Sequence, residues 1–354
     1  MKRIDYWRRL YFERVRAKRE RRVEKRRRQE RKRRVERRRP NVLPAPLLFD
    51  VDNPKARSRL LSFLAKLRTK VIDNSGTGVT IDFSDTRKMW AAGTLLFKAE
   101  LCRLQRISGG KTRLSCISPR NPKVSQVLKK TGIFKLLQHR SKVVPSYVDV
   151  IHWYHAHGNQ VDGAKYDDVL GRYDGVIPDV VASGLYLGLT EAMTNCHHHA
   201  YIDQRQDGLN QVDEPQDWWM FSQERDGQLT VVFCDLGVGI PQTLPIKQPS
   251  WWERMKVKMG SPTDAQAINE AIKESRSRTE KHYRGKGLGQ MVNVIERTPG
   301  AVLLLHSNRG RYTYSNGSSK IQNFGDSILG TLIAWRVPVQ RSESTYAQNN
   351  QSSE

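Results

Sequence analysis

Apolar residues in this chain recur at different periods along its length, and the changes of period mark its elements. Residues 47–51 (LLFDV), 78–84 (GVTIDFS) and 112–118 (TRLSCIS) are short apolar runs that predict strands, the second ending in a polar turn. Between and after them, 54–72 (PKARSRLLSFLAKLRTKVI) is amphipathic at helical spacing, 91–106 (AAGTLLFKAELCRLQR) reads as a second helix and 121–137 (NPKVSQVLKKTGIFKLL) as a third. Strand and helix alternation of this kind predicts an α/β unit, a sheet with helices packed on it. Farther on, Pro178 and Asp179 are helix-start signals for one long helix over 178–201. Residues 226–241 (DGQLTVVFCDLGVGIP) give an Asp-Gly turn, an apolar strand, and an acid followed by glycines at the strand end. Ser261, Pro262 and Thr263 mark the start of a further helix, DAQAINEAIKESRSRT.

The first forty residues break with this pattern. They hold 21 Lys and Arg against 6 acids, a large part of the net charge of +25 carried by 354 residues. From Arg14 to Arg39 the residues are good helix formers, with glutamates three or four positions from arginines and almost no apolar stripe, so the segment cannot bury itself against a core. An exposed basic helix, a disordered arm, and a segment that orders on a polyanion through counterion release all fit it. Nucleic acid is therefore a candidate partner of residues 1–39. Pro40, Pro44 and Pro46 predict a linker after it. The expected division is a tail over 1–40, an α/β domain over 41–145, a connector over 146–175, a second α/β domain over 176–339, and a polar, disordered end over 340–354. The four cysteines lack CxxC spacing, no apolar run is long enough to cross a bilayer, and the N-terminus is charged where a signal peptide is apolar; a cytoplasmic protein is expected.

Three stretches carry candidate chemistry. In EAMTNCHHHAY, Glu191, Asn195 and His199 recur every four residues and share a helix face, whereas His197 and His198 diverge from it, which weakens a metal reading. Asp235, at the mouth of a buried strand and followed by Gly237 and Gly239, suits a planar ligand that donates hydrogen bonds. In YRGKGLGQMVNVIE, Gly285, Gly287 and Gly289 form a loop whose amides can face phosphates at the start of a helix, with Arg284 and Lys286 adding charge. Two other stretches carry less. SGGKT (108–112) lacks the first glycine of a P-loop, since Gln105 stands there, and the histidines of HWYHAH (152–157) have no carboxylate or cysteine pattern to complete a metal site.

Taken in order, the three stretches resemble the N-box, G1 box and G2 box of the GHKL superfamily, closest to its anti-sigma-factor serine-kinase-like branch. Residues 300–314 and 330–338 look like that family's closing strands. The resemblance implies a Bergerat fold over 176–339: an α/β sandwich (α+β) with a mixed sheet covered by helices on one face. It implies ATP and Mg²⁺ as ligands. Asp235 would accept from the adenine amino group, with Gly237 and Gly239 beside the base. Asn195 would be the protein ligand of Mg²⁺, and Glu191 the residue that orients or deprotonates the attacking nucleophile. Arg284, Gly285, Lys286, Gly287, Leu288 and Gly289 would wrap the phosphates, Thr331 would steady the nucleotide, and 242–283 would supply a lid. His199 would support the helix. VTIDFSDTRKMWAAGTLLFKAEL in turn resembles the core of STAS domains, except that the turn bearing their phosphoacceptor serine is here Trp90, Ala91, Ala92 and Gly93, which implies a docking scaffold and no phospho-switch. The function implied is a regulator that uses ATP to change conformation or to phosphorylate Ser or Thr of a partner protein, an ATP hydrolase or protein kinase in enzymatic terms. The alternative is a GHKL ATPase whose closure or homodimerisation acts on DNA or RNA.

Overall fold

The computed structural model describes residues 24–25, 41–73, 78–209, 214–279 and 287–339. Nearly all of the basic segment 1–40, the polar end 340–354, and the expected site residues Arg284, Gly285 and Lys286 lie outside the described residues. The chain is a mixed α/β structure, and among the described residues no helix is long and apolar enough to cross a membrane.

The N-terminal part is built on parallel strands. β1 (Asn41–Pro44), β3 (Val79–Asp82) and β5 (Leu114–Ile117) form one sheet in the order β1-β3-β5, and β2 (Leu48–Phe49) pairs in parallel with β4 (Lys88–Met89). The linker expected from Pro40, Pro44 and Pro46 is thus in part a strand. Pro44 is tolerated because β1 lies at the sheet edge. Helix α1 (Pro54–Asp73) begins at Asn53, whose Oδ1 accepts from the backbone N–H of Lys55 and Ala56, and it buries Leu60, Leu64, Leu67 and Val71. Helix α2 (Ala91–Ile107) follows, and the helix expected over 121–137 is two, α3 (Pro122–Lys130) and α4 (Ile133–Leu136). Gly132, with φ of 75°, breaks the run between them.

A seven-stranded sheet organises the rest. Its order is β11 (Ser318–Asn323), β10 (Gly310–Ser315), β9 (Val302–Ser307), β12 (Thr331–Pro338), β8 (Gln228–Asp235), β7 (Trp218–Arg225) and β6 (Trp153–Gly158). Every neighbouring pair is antiparallel, so the expected mixed sheet is corrected. Residues 146–175, expected as a connector, supply a short helix α5 (Val148–Ile151) and the edge strand β6.

Alternation along the strands explains how the halves meet. Leu229, Val231 and Phe233 of β8 face a core that includes Leu185, Leu189 and Met193 of helix α6 (Asp179–Asn195) and Met291, Val292 and Ile295 of the later helix Gly287–Glu296. Val232 and Cys234 of the same strand, with Trp219 and Phe221 of β7, face the other way, into the core of the N-terminal part. Helices on one face only were expected; α2 covers the second. That is why α2 is buried around nearly its whole circumference, from Ala91 to Leu101. Gly93 lets α2 pack closely against β2, because a Cβ there would lie 2.5 Å from the Phe49 carbonyl.

Candidate functional site

Helix α6 carries Glu191 and Asn195 in its last turn and then widens into a π-turn over Cys196–Ala200. The single α-helix expected over 178–201 therefore changes geometry at the end that carries Glu191 and Asn195. The extra residue re-aims the chain so that the Ala200 carbonyl receives the Val238 N–H at 2.7 Å. Helices α7 (Ile240–Lys247) and α8 (Pro249–Met259) follow β8, then α9 (Asp264–Thr279) and α10 (Gly287–Glu296). Thr263 and Gln266 cap α9 reciprocally: the Thr263 N–H donates to Gln266 Oε1 at 2.8 Å, and the Gln266 N–H donates to Thr263 Oγ1 at 3.3 Å.

Between α6, α7, α9, α10 and the end of β8 lies a cavity of about 160 Å³, the size class that accommodates one aromatic ring. Phe233, Ile240, Leu244, Met291 and Ile333 give it an apolar wall, and Trp251 closes one side. Of the residues singled out in the sequence, Asn195, Asp235, Gly239, Gly287, Leu288 and Thr331 line it, and so does His199. Glu191 stands beside it. A Cβ on Gly287 would lie 2.5 Å from Glu191 Oε2 and 3.2 Å from Asn195 Nδ2, so the start of α10 sits directly on these two side chains. Among the described residues neither the Glu191 carboxylate nor the Asn195 carboxamide takes a hydrogen-bond partner. Burial raises the pKa of Glu191 above the ordinary glutamate value.

Asp235 is the buried acid of the cavity, 6% exposed. Its Oδ1 accepts from the backbone N–H of Gly237 at 3.0 Å and of Thr331 at 3.3 Å. Burial pushes its pKa up to about 6 in spite of those donors and of Arg205. Gly237 and Gly289 are brought near the cavity but not onto its wall. A Cβ on Gly237 would lie 2.2 Å from the Ala200 carbonyl oxygen, and one on Gly289 3.3 Å from the Arg276 backbone, so both serve close packing. His199, expected as a support for the helix, faces the cavity, and its Nδ1 is buried with no partner.

Two residues that the sequence reading passes over hold this end of the sheet together. Asn308 Nδ2 donates to the Val238 carbonyl at 2.8 Å, and its Oδ1 accepts from the Gly330 N–H at 3.3 Å. Ser307 Oγ accepts from the Ile240 N–H at 2.8 Å and contacts Thr331 Oγ1 at 3.1 Å. Gly239 needs its φ of 82° here, since a Cβ would lie 2.6 Å from Asn308 Nδ2. In sequence, SNRG signals only a turn after a strand, and the clamp becomes visible when three strand ends are brought side by side.

The other candidates separate from this site. His155 and His157 lie on β6, where His157 stacks on Trp219 with ring centres 5.1 Å apart and His155 is held down to about 4 by burial and by Lys98 and Lys130. Among the described residues no group of His, Cys, Asp and Glu side chains is arranged to hold a metal by itself. Lys111 sits after a turn at Gly109 and Gly110, and Thr112 Oγ1 is taken up by the Val71 carbonyl, so SGGKT forms a helix-to-strand turn. No protein-family profile matches the chain, and no curated protein sequence matches it.

Proposed function

We propose that the chain binds Mg-ATP in this cavity in the manner of GHKL proteins and acts as a regulator, using the nucleotide to change conformation or to phosphorylate Ser or Thr of a partner protein. The reading is supported by one convergence: Asn195, Asp235, Gly287 and Thr331, drawn from four separate segments, meet around one apolar space. An apolar slot with one buried acid at its end matches a purine, whose flat faces need apolar walls and whose amino group needs an acceptor. Asp235 is that acceptor, and the Gly237 and Thr331 N–H groups hold its carboxylate in place.

The residues present fit the ion as well. A Mg²⁺ ion that keeps waters and phosphate oxygens needs few protein ligands. One carboxamide, Asn195, unpartnered among the described residues, answers that need where a cage of carboxylates would not. Bound there, the ion would neutralise phosphate charge. Glu191, one turn earlier and without a hydrogen-bond partner among the described residues, would orient the attacking hydroxyl or water or take its proton, and its raised pKa suits a proton acceptor. Gly287 and Leu288 begin α10 over these groups, and Arg284, Gly285 and Lys286 precede it in the chain. His199 and Lys247 add polar groups to the same wall. For the N-terminal part, the STAS-like reading as a scaffold rests on the turn at Trp90–Gly93, which has no hydroxyl. The next one, Thr94, is fully buried with its Oγ1 unpartnered, where no phosphate donor can reach it. The alternative, an ATPase acting on nucleic acid, draws on the charge of residues 1–39.

Calorimetry with Mg-ATP tests the site. Asn195→Ala is expected to abolish binding with the fold intact, and unchanged affinity would remove the assignment. Incubation with γ-labelled ATP then separates the activities, as free phosphate, labelled partner protein or retained nucleotide.

A further inference from the structure

A second charged feature lies away from the cavity. Between Glu100 and Asp149 the sequence holds eleven Lys and Arg and no Asp or Glu. Arg103 and Arg106 are taken up internally by Glu214, Asp207 and Asp217, and Arg120 meets Asp85 at the surface. Most of the others stand on α3, on α4 and on the segment after it. Lys129, Lys135, Arg140 and Lys142 are exposed and among the described residues have no carboxylate partner. Lys129 Nζ donates to the Ser141 carbonyl at 3.1 Å, which ties residues 140–142 to the end of α3.

Aromatic rings are interleaved with these cations. Lys88 Nζ lies 3.8 Å and the Arg225 guanidinium 5.0 Å from the centre of the Trp90 ring. Lys123 lies 5.6 Å from the Tyr147 ring, while Lys130 and Arg172 lie 5.0 and 5.3 Å from that of Tyr154. The three clusters join. Asp149 contacts both Lys123 and Arg225, and the Gln126 side chain fixes Ser146 and Tyr147 against α3 by accepting their N–H groups at 2.8 and 3.0 Å. Asp149 and Asp226 are acids within the strip: Asp149 contacts Lys123 and Arg225, and Asp226 contacts Arg225 at 3.0 Å, which leaves Lys88, Lys130 and Arg172 as the ring-associated cations without a carboxylate contact among the described residues. The crowding of positive charge is felt by its members: burial and then Arg172 pull the Lys130 ammonium below its ordinary value, and burial, Arg225 and Lys123 do the same to Lys88.

We propose that this strip, from Trp90 across α3 to Tyr154 on the edge strand β6, binds a single strand of nucleic acid, its cations meeting phosphates and its partly exposed rings stacking with bases. Cations in excess of acids attract any polyanion, but rings set between the cations give a surface suited to a strand with exposed base faces. The inference stands apart from the nucleotide reading, because no residue of the strip lines the cavity. It is also separate in the chain from a contact through residues 1–39.

The test uses the full-length protein and a fluorescent single-stranded RNA, with anisotropy followed from about 50 to about 200 mM salt. The triple variant Lys129→Gln, Lys130→Gln, Arg172→Gln is expected to bind more weakly and to lower the slope of log affinity against log salt by about 2, at roughly 0.7 per lost phosphate contact on a single strand. Tyr154→Ala is expected to weaken binding by about tenfold with the slope unchanged. The charge-retaining set Lys129→Arg, Lys130→Arg, Arg172→Lys should bind as the parent does, and the ATP affinity of all three should not change. A triple variant with parental affinity and slope overturns the proposal. So does full displacement of the RNA by inorganic polyphosphate of equal charge together with a silent Tyr154→Ala, which would leave a polyanion surface only. Loss of binding to phosphatidylserine vesicles in the triple variant, with RNA binding intact, would assign the strip to a membrane surface and likewise overturn it.

Discussion

Replacing Asp235 by asparagine keeps the shape of the side chain and removes its charge, which separates what the carboxylate does for the ligand from what it does to the fold. In the folded chain its pKa is about 6, against an ordinary value of 3.8, because burial outweighs the two N–H donors. The native state therefore holds the proton more tightly than the unfolded state does. The contribution of Asp235 to stability is greatest below pH 4, falls as pH rises from 4 to 6, and is flat above. At pH 7 the buried charge costs about 3 kcal/mol relative to the neutral side chain, and at pH 4.5 about 1 kcal/mol. An asparagine with its carbonyl oxygen in the place of Oδ1 keeps the Gly237 and Thr331 donors partnered and mimics the neutral acid. Asp235→Asn is thus expected to be more stable than the parent by about 3 kcal/mol at pH 7, with the gain shrinking to about 1 kcal/mol at pH 4.5.

The same substitution should cost the ligand. Asparagine presents a carboxamide where the proposal needs an ionised acceptor, so ATP affinity should fall although the fold gains. In the parent, affinity should follow ionisation of Asp235 and be about tenfold weaker at pH 5 than at pH 7. Urea denaturation of both proteins across this pH range gives the first quantity, and calorimetry with ATP the second. A variant no more stable than the parent at pH 7, or a stability gain that does not shrink toward acid pH, would refute the reasoning about Asp235. A gain in stability with ATP affinity unchanged would leave the electrostatics standing and remove Asp235 from the ligand site. That pairing of a costly group with a stability gain on its removal is the behaviour of a functional residue.

Two further substitutions probe the framework. Gly239→Ala would put a methyl 2.6 Å from Asn308 Nδ2 at a φ of 82°, and a loss of about 2 kcal/mol or more is expected in urea denaturation, with weakened ATP binding; a loss under about 0.5 kcal/mol would mean the clamp is loose. Arg103→Met removes a guanidinium that is 1% exposed and joins α2 to Asp207 and Glu214, so it should cost about 2 kcal/mol or more by leaving those carboxylates only the longer contacts to Arg205 and Arg106; near-neutral behaviour would show that these two arginines suffice.

What the sequence made legible follows from how local each signal is. Helices α1, α2 and α9 and strands β3, β5 and β8 could be read because period, capping residues and breakers lie within the element itself: Asn53 before Pro54, Thr263 before Asp264, Asp226 and Gly227 before β8. The division of 121–137 turned on one residue, Gly132, whose left-handed backbone is a tertiary choice. β6 was hidden because HWYHAH carries ring-bearing polar residues on the exposed side of an edge strand, where its alternation resembles a metal motif more than a strand. In the candidate site, Asn195, Asp235, Gly239 and Gly287 could be singled out from spacing and position on their own elements, whereas Leu288 and Thr331 were named only through the resemblance to GHKL proteins. Asn308 and Ser307 could not, since their roles consist of contacts to Val238, Ile240 and Gly330, tens of residues away in the chain.

Burial on both faces of the seven-stranded sheet has a consequence for how the two parts can act. Arg57 of α1 donates to the Asn308 carbonyl at 3.0 Å and contacts His306 Nδ1 at 3.2 Å, while His306 Nε2 meets Asp52 at 3.1 Å. Arg205, held by Glu100 of α2, donates through Nε to the Leu329 carbonyl at 2.7 Å, two residues before Thr331. The residues that hold the strand ends beside the cavity, Asn308 and the Leu329–Thr331 turn, are therefore bonded on their far side to α1 and α2. Arg57 and Arg205 are 1% and 6% exposed, so breaking either contact leaves buried polar groups short of a hydrogen-bond partner. A ligand that shifts the Asn308 clamp or the Gly330 turn has to move these helices or break their contacts. The N-terminal part is thus fastened to the back of the cavity, and a partner seated on α1 or α2 would meet the same buried links from the other end.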